Sequence, residues 1–172
     1  AGSQAHGRRG PRGGAVHGVR REPAVYTRSS WYHAAMRIAI IGAGGVRGYF
    51  GGRLVASGAD VTFVARGAHL DALRSTGLRI ASPKGHLDLP TVAATDDPAS
   101  VGPVDIVLFT VKMYDAEAAT TLLPPLLGPQ TAVIPLQNGV DAAHILTRAV
   151  GPGHVAGGVA YVASVVLQPG VI

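Results

Sequence analysis

Gly42, Gly44, Arg66, Lys112 and Asn138 are the residues whose types and places could do chemistry. Gly42-Ala43-Gly44 follows a short apolar run, Ile38 to Ile41, with no polar linker between them. Val46, Tyr49, Phe50, Leu54 and Val55 then fall near helical spacing. A strand, a glycine turn and a helix form the context in which glycines bind a dinucleotide. Gly42 permits the tight turn, and Gly44 lets bare backbone approach a pyrophosphate. The helix that follows offers N–H groups and the positive end of its dipole. The full pattern, G-x-G-x-x-G, would put its third glycine at position 47, which is Arg47; Gly48 comes one residue late. Taken alone, the loop also reads as an ordinary glycine-rich turn of an α/β protein.

The second strand ends Val64-Ala65-Arg66-Gly67, with no acid until Asp71. An acid there would hold the ribose hydroxyls of NAD, whereas a guanidinium suits the 2′-phosphate of NADP, which it can grip in bidentate fashion. Lys112, in Thr110-Val111-Lys112, ends the strongest strand and could bond ribose or substrate oxygens. Asn138, in Gln137-Asn138-Gly139, ends the next and offers both donor and acceptor. Each has a plainer reading: a solvated loop arginine, a surface lysine, an Asn-Gly turn. Three strand ends with suitable polar residues make coincidence the weaker account. The seven histidines show no metal-ligand spacing, so no metal site is expected. There is no G-x-S-x-G elbow and no G-x-x-x-x-G-K-[ST] loop. Asp96-Asp97, before Pro98, reads as a turn cap.

The elements that must position these residues follow a βα rhythm from Met36 onward. We expect a helix over Gly45 to Ala56, a strand over Asp60 to Ala65 and a helix over Ala68 to Ser75. Leu78 to Ala81 and His86 to Leu89 flank a Ser-Pro-Lys-Gly turn, and Thr91 to Ala94 could extend that antiparallel patch. Val104 to Val111 is the most strand-like run. A helix from Tyr114 to about Leu123, a strand at Ala132 to Leu136, a helix over Asp141 to Val150 and a strand around Val155 to Val162 complete the series. The expected fold class is α/β: a Rossmann-like, doubly wound, mostly parallel sheet with helices on both faces and ligands at the strands' carboxyl ends.

With 172 residues and 47% hydrophobic content there is room for one domain and its core, and no apolar run approaches a membrane span. Cysteine is absent, which excludes disulfides and thiolate metal sites and fits a reducing, cytoplasmic setting. The net charge of +5 is local: residues 1–35 hold six arginines and one acid, while residues 36–172 hold nine bases and nine acids. Residues 1–35 are Gly- and Arg-rich without periodicity and read as a disordered extension. A targeting peptide, a nucleic-acid arm and upstream sequence ahead of a start at Met36 compete to explain it, and we favour the last. Aromatics do not interleave with the arginines, which disfavours nucleic acid. The chain stops at Gln168 to Ile172, within what reads as another strand, so we expect the 36–172 domain to be truncated at its C-terminal end.

Four stretches in order resemble ketopantoate reductases (2-dehydropantoate 2-reductases): GAGGVRGYFGGRLVASGADVTFVARGAHLDALRSTGLRI, TVKMYDAEAA, IPLQNGVDAAHIL and GGVAYVASVVLQPGVI. The resemblance runs from Met36 to Ile172. It implies NADPH-dependent reduction of 2-dehydropantoate to pantoate, in pantothenate and coenzyme A synthesis. Gly42, Ala43, Gly44, Gly45, Val46 and Arg47 match the family's pyrophosphate loop, with Arg47 in place of its third glycine. Arg66 matches its 2′-phosphate arginine, Lys112 a cofactor-contacting lysine, Asn138 an asparagine that touches cofactor and substrate, and Ala163 a further cofactor contact. The catalytic general-acid lysine of the family belongs to a second, helical domain beyond this chain, so the resemblance implies no catalytic residue here and little turnover. The face that domain would cover leads us to expect self-association. A reductase of another 2-oxo acid and a non-catalytic NADP-binding module are the alternatives.

Overall fold

The computed structural model describes Gly2, residues 36–42 and residues 44–172. The expected disorder of residues 1–35, and Ala43, therefore lie outside the described residues. Strand β1 (Arg37–Ile41) is followed by helix α1 (Gly45–Ala56), β2 (Asp60–Val64) and α2 (Gly67–Ser75). A hairpin of β3 (Leu78–Ile80) and β4 (Leu87–Leu89) comes next, then β5 (Ala93–Thr95) and β6 (Val104–Phe109). The short α3 (Ala116–Ala119), β7 (Leu127–Pro135) and α4 (Ala142–Val150) complete the regular elements.

The five-stranded sheet has the order β5-β2-β1-β6-β7, with every pairing parallel. Period-two alternation sorts β1 between two cores. Ile38 and Ile40 face one side with Phe63, Leu73, Leu78 and Ile80; Ala39 and Ile41 face the other with Phe109, Leu123, Leu126 and Leu146. From Ile38 to Ile41 both faces of β1 are buried, which is why that run is continuously apolar. The chain winds from β1 to β2 and β5 on one side, then returns to β6 and β7 on the other. The crevice between the carboxyl ends of β1 and β6 is thus the topological switch point, where such sheets take ligands. The expected fold class is what the structure has.

Four expectations need correction. Thr91 to Ala94 does not extend the hairpin; Ala93–Thr95 pairs in parallel with β2, and the Ala65 N–H donates to Thr95 O (2.9 Å). This gives the outer edge of β2 partners for its backbone groups. The helix expected from Tyr114 breaks into 3-10 turns around the four residues of α3. Thr120 and Thr121 donate their hydroxyls back to Glu117 O (2.7 Å) and Ala118 O (2.8 Å), a competing bond pattern, just before Pro124 and Pro125. Strand β7 starts five residues early, with a register break against β6 between Val104 and Ile106. The buried Thr131 hydroxyl fills that break, donating to Val104 O and accepting from the Gly128 N–H (2.7 Å).

The strand expected over Val155 to Val162 is a single bridge, Val133 to Val155. Gly157-Gly158 follows, contributing no side chains and a large ordering entropy. Beyond them Val159 and Tyr161 are 94% and 101% exposed. The last residues meet β3 in an isolated bridge, Arg79 to Val171: the Arg79 N–H donates to Gly170 O (2.8 Å), the Ile172 N–H to Arg79 O (2.9 Å), and Ile172 is buried. Among the described residues no helix is long and apolar enough to cross a membrane.

Candidate functional site: the rim at the switch point

Gly42 follows β1 with φ +141°, a backbone that side chains disfavour. A Cβ there would also stand 2.6 Å from Thr110 Oγ1 and 2.7 Å from its carbonyl. Thr110 is close because its N–H and its hydroxyl both donate to Ile41 O (2.8 Å each), pinning the end of β6 to the end of β1. Gly44 is different. A Cβ on it would meet nothing within 4 Å, and the residue faces a cavity of about 350 Å³. Glycine at 42 is demanded by the protein, whereas glycine at 44 leaves room for something else. Gly45 lies against the backbone of Ser164 and Val165, 2.5 Å from where its Cβ would stand, so that segment lies against the first turn of α1.

The same cavity is lined by Val64, Ala65, Arg66, Asp96, Lys112 and Tyr114. Gly44 is the N-cap of α1 and Arg66 the N-cap of α2; neither helix has a side-chain cap or an acid in its first turn. Two uncapped helix starts therefore open on one rim beside two cations, a ready arrangement for anions. Arg66 and Lys112 are both exposed. Two acids, Asp96 and Asp115, also line the cavity, and the Asp96 carboxylate is engaged by Arg74 (3.1 Å). Capping falls to Asp97 instead, whose Oδ1 accepts from the Ala99 N–H (2.9 Å). Asp96 went unrecognised as a rim residue because its place depends on β5 joining the main sheet. Among the described residues no three His, Asp or Glu side chains gather in a way that could hold a metal ion.

Arg47 takes neither course open to a long cation in the glycine pattern. It does not push α1 off the sheet, because Gly48, Gly51 and Gly52 let that helix approach Ile172, Phe63 and Ile80 closely. Nor does it reach into solvent: the residue is 0% exposed. Its Nη1 donates to Val64 O (3.4 Å), while Nε and Nη2 have no partner. Burial lowers its pKa to about 10, which leaves it charged at neutral pH. His69, in the first turn of α2, is pushed down to about 4 by burial and then by the Arg47 charge. The His69 Nδ1 accepts from the Gly170 N–H (3.4 Å) and Nε2 has no partner.

Of the residues singled out from sequence, Gly42, Gly44, Arg66 and Lys112 meet around one cavity. Gly45, Val46 and Arg47 form the first turn of α1. Asn138 lies exposed in the loop after β7, beside Gln137, whose amide atoms are buried without partners. Ala163 lines a separate cleft of about 150 Å³ with Tyr49, Pro83 and Ile172.

The comparisons agree with this architecture. The family model described as ketopantoate reductase PanE/ApbA matches residues 38–172. A 2-dehydropantoate 2-reductase of Mesorhizobium japonicum is 33% identical, over 80% of this chain and 48% of its own length. The crystal structure of 2-dehydropantoate 2-reductase from Geobacter metallireducens superimposes with a TM-score of 0.75 at 35% identity, over 79% of this chain and 45% of that one. A D-mandelate dehydrogenase in complex with NADH gives a TM-score of 0.65 at 25% identity, over 79% and 42%. The chain spans about half the length of the relatives it matches. With a parallel sheet, a glycine turn at its switch point and a family match over nearly all of the described domain, this chain belongs to the ketopantoate reductase PanE/ApbA family.

Proposed function

We propose that this chain supplies the NADP(H)-binding half of a reductase that converts 2-dehydropantoate to pantoate, a cytoplasmic step toward coenzyme A. The observation that carries the reading is the convergence of Gly44, two uncapped helix N-termini, Arg66 and Lys112 on one cavity at the switch point. These residues fit the group: backbone N–H groups suit a pyrophosphate, and a guanidinium at the end of β2 suits a 2′-phosphate. When bound, NADPH would supply the hydride. Gly42 to Val46 would hold the pyrophosphate, Arg66 the 2′-phosphate and Lys112 ribose or substrate oxygens, with Asn138 adding a contact from the loop after β7; Ala163, in its separate cleft, has no part in this cavity. Asn138 would also orient the 2-oxo acid. Reduction of a ketone needs a proton donor facing the incoming hydride, and we assign that group to a part of the enzyme beyond these residues. The chain alone then binds cofactor and turns over little.

A second reading, NAD rather than NADP, is favoured by Asp96 on the cavity wall and by the NADH complex of D-mandelate dehydrogenase. Against it, the Asp96 carboxylate is already paired with Arg74. Fluorescence titration of NADPH and NADH decides. NADPH should bind more tightly, and Arg66→Ala should weaken NADPH about 10- to 100-fold while leaving NADH nearly unchanged, as expected for loss of a charge-assisted pair. Equal affinities for the two in the unaltered chain would refute the NADP assignment.

A further inference from the structure

We propose that Arg47 is a second cation of the adenosine end of the site, a buried guanidinium that favours a ligand's 2′-phosphate from beneath the peptide carrying Arg66. The inference rests on the NADP reading above. A guanidinium carries five N–H donors, and here a single long bond to Val64 O is all they make. Among the described residues no carboxylate lies within ion-pairing distance of it; the arginines in ion pairs are Arg37, Arg74 and Arg148. A buried charge without a counterion is costly, and a dianion brought near would recover part of that cost.

Arg47 does not itself line the cavity, but its one bond, to Val64 O, puts the guanidinium at the end of β2, which favours the phosphate monoester over the pyrophosphate. Val64 is the last residue of β2, and Val64, Ala65 and Arg66 line the cavity in succession. Arg47 thus grips the carbonyl two residues before Arg66, on the side of α2. Its charge is felt there, because it helps to depress His69 in the first turn of that helix. His69 is neutral at neutral pH and adds no charge of its own. Wholly buried, Arg47 is poorly screened by solvent, so its field acts over several ångströms at a lower effective dielectric than that of a surface lysine.

Calorimetric titration of the whole chain with adenosine 2′,5′-bisphosphate and with 5′-AMP tests this, since the two probes differ only in the 2′-phosphate. Arg47→Met keeps the bulk and removes the charge; it should weaken the bisphosphate about tenfold and leave 5′-AMP within twofold. Arg47→Gly, which restores the third glycine, should lose the same preference, and Arg47→Lys should keep most of it. Binding of the bisphosphate to Arg47→Gly or Arg47→Met as tight as to the unaltered chain overturns the role given to Arg47, while the NADP reading survives. Loss of folding in Arg47→Met leaves Arg47→Gly to decide. If the unaltered chain binds both probes equally, the NADP reading fails and this inference falls with it.

Discussion

The two sides of the sheet solve the packing problem in opposite ways. On the side of α4, large side chains fill the space: Phe109, Leu123, Leu126 and Leu146 are all 0% exposed and interdigitate over Ala39 and Val107. On the side of α1, the helix itself comes close, because Gly48, Gly51 and Gly52 present no side chains to the sheet and hairpin. The first is ordinary core construction, in which stability grows with buried apolar area. The second brings a helix N-terminus down onto the switch point, where its N–H groups can meet an anion. Close approach through glycines sets the helix directly on Phe63, Leu78, Ile80 and Ile172, and at the end of β2 the chain places a buried arginine.

The contrast can be broken most forcefully from the filled side. Leu146→Ala should cost about 3–4 kcal/mol of unfolding free energy by urea titration, since a fully buried leucine leaves a cavity that the helix cannot close. A loss below about 1 kcal/mol would mean that this core is loosely packed. On the close side the equivalent change is an addition. The Cβ introduced by Gly51→Ala would stand 2.7 Å from Ile40 Cδ1 and closer still to the Phe63 ring. Helix propensity favours alanine by about 1 kcal/mol, yet overpacking against rings and strand should outweigh it and leave a net loss of about 1–2 kcal/mol. A stabilised Gly51→Ala protein would show that α1 has room to rise.

The smallest effect concerns buried Arg47 and the half-buried His69 in the first turn of α2. The His69 pKa falls from 6.5 to about 4 on folding, so between those values the unfolded chain binds the extra proton. Stability from this group is therefore complete above pH 6.5, declines as pH falls toward 4 and is gone below it. With the ring partly solvated, roughly 1 kcal/mol is the expected size. His69→Gln should flatten the stability profile across that window, and Arg47→Met should flatten it in part by removing one of the two causes. An unchanged profile in His69→Gln would place the pH dependence elsewhere.

Much of the fold was legible because it depends on local signals. The boundaries of α1, β2 and α2 lie within a residue or two of where glycines and apolar spacing put them. Arg66 and Lys112 were placed on the rim by the rule that parallel sheets bind ligands at strand ends, and both line the cavity. The misplaced pieces were those whose local pattern was ambiguous. Three short residues at 93–95 could join either a hairpin or a sheet, and only the open edge of β2 decides between them. The run from Val155 has the composition of a strand, but Gly157-Gly158 interrupts it after one bridge.

The amino-acid sequence by itself determined that the chain winds as β and α in turn, that a glycine turn opens on a helix, and that a cation rather than an acid ends the second strand. These are properties of neighbours in the chain, set by backbone freedom and side-chain periodicity. Tertiary structure alone decided that Asp96 reaches the rim already paired, and that Arg47 lies wholly buried against the end of β2. Both outcomes depend on which distant groups come within a few ångströms, where desolvation and hydrogen bonding are settled.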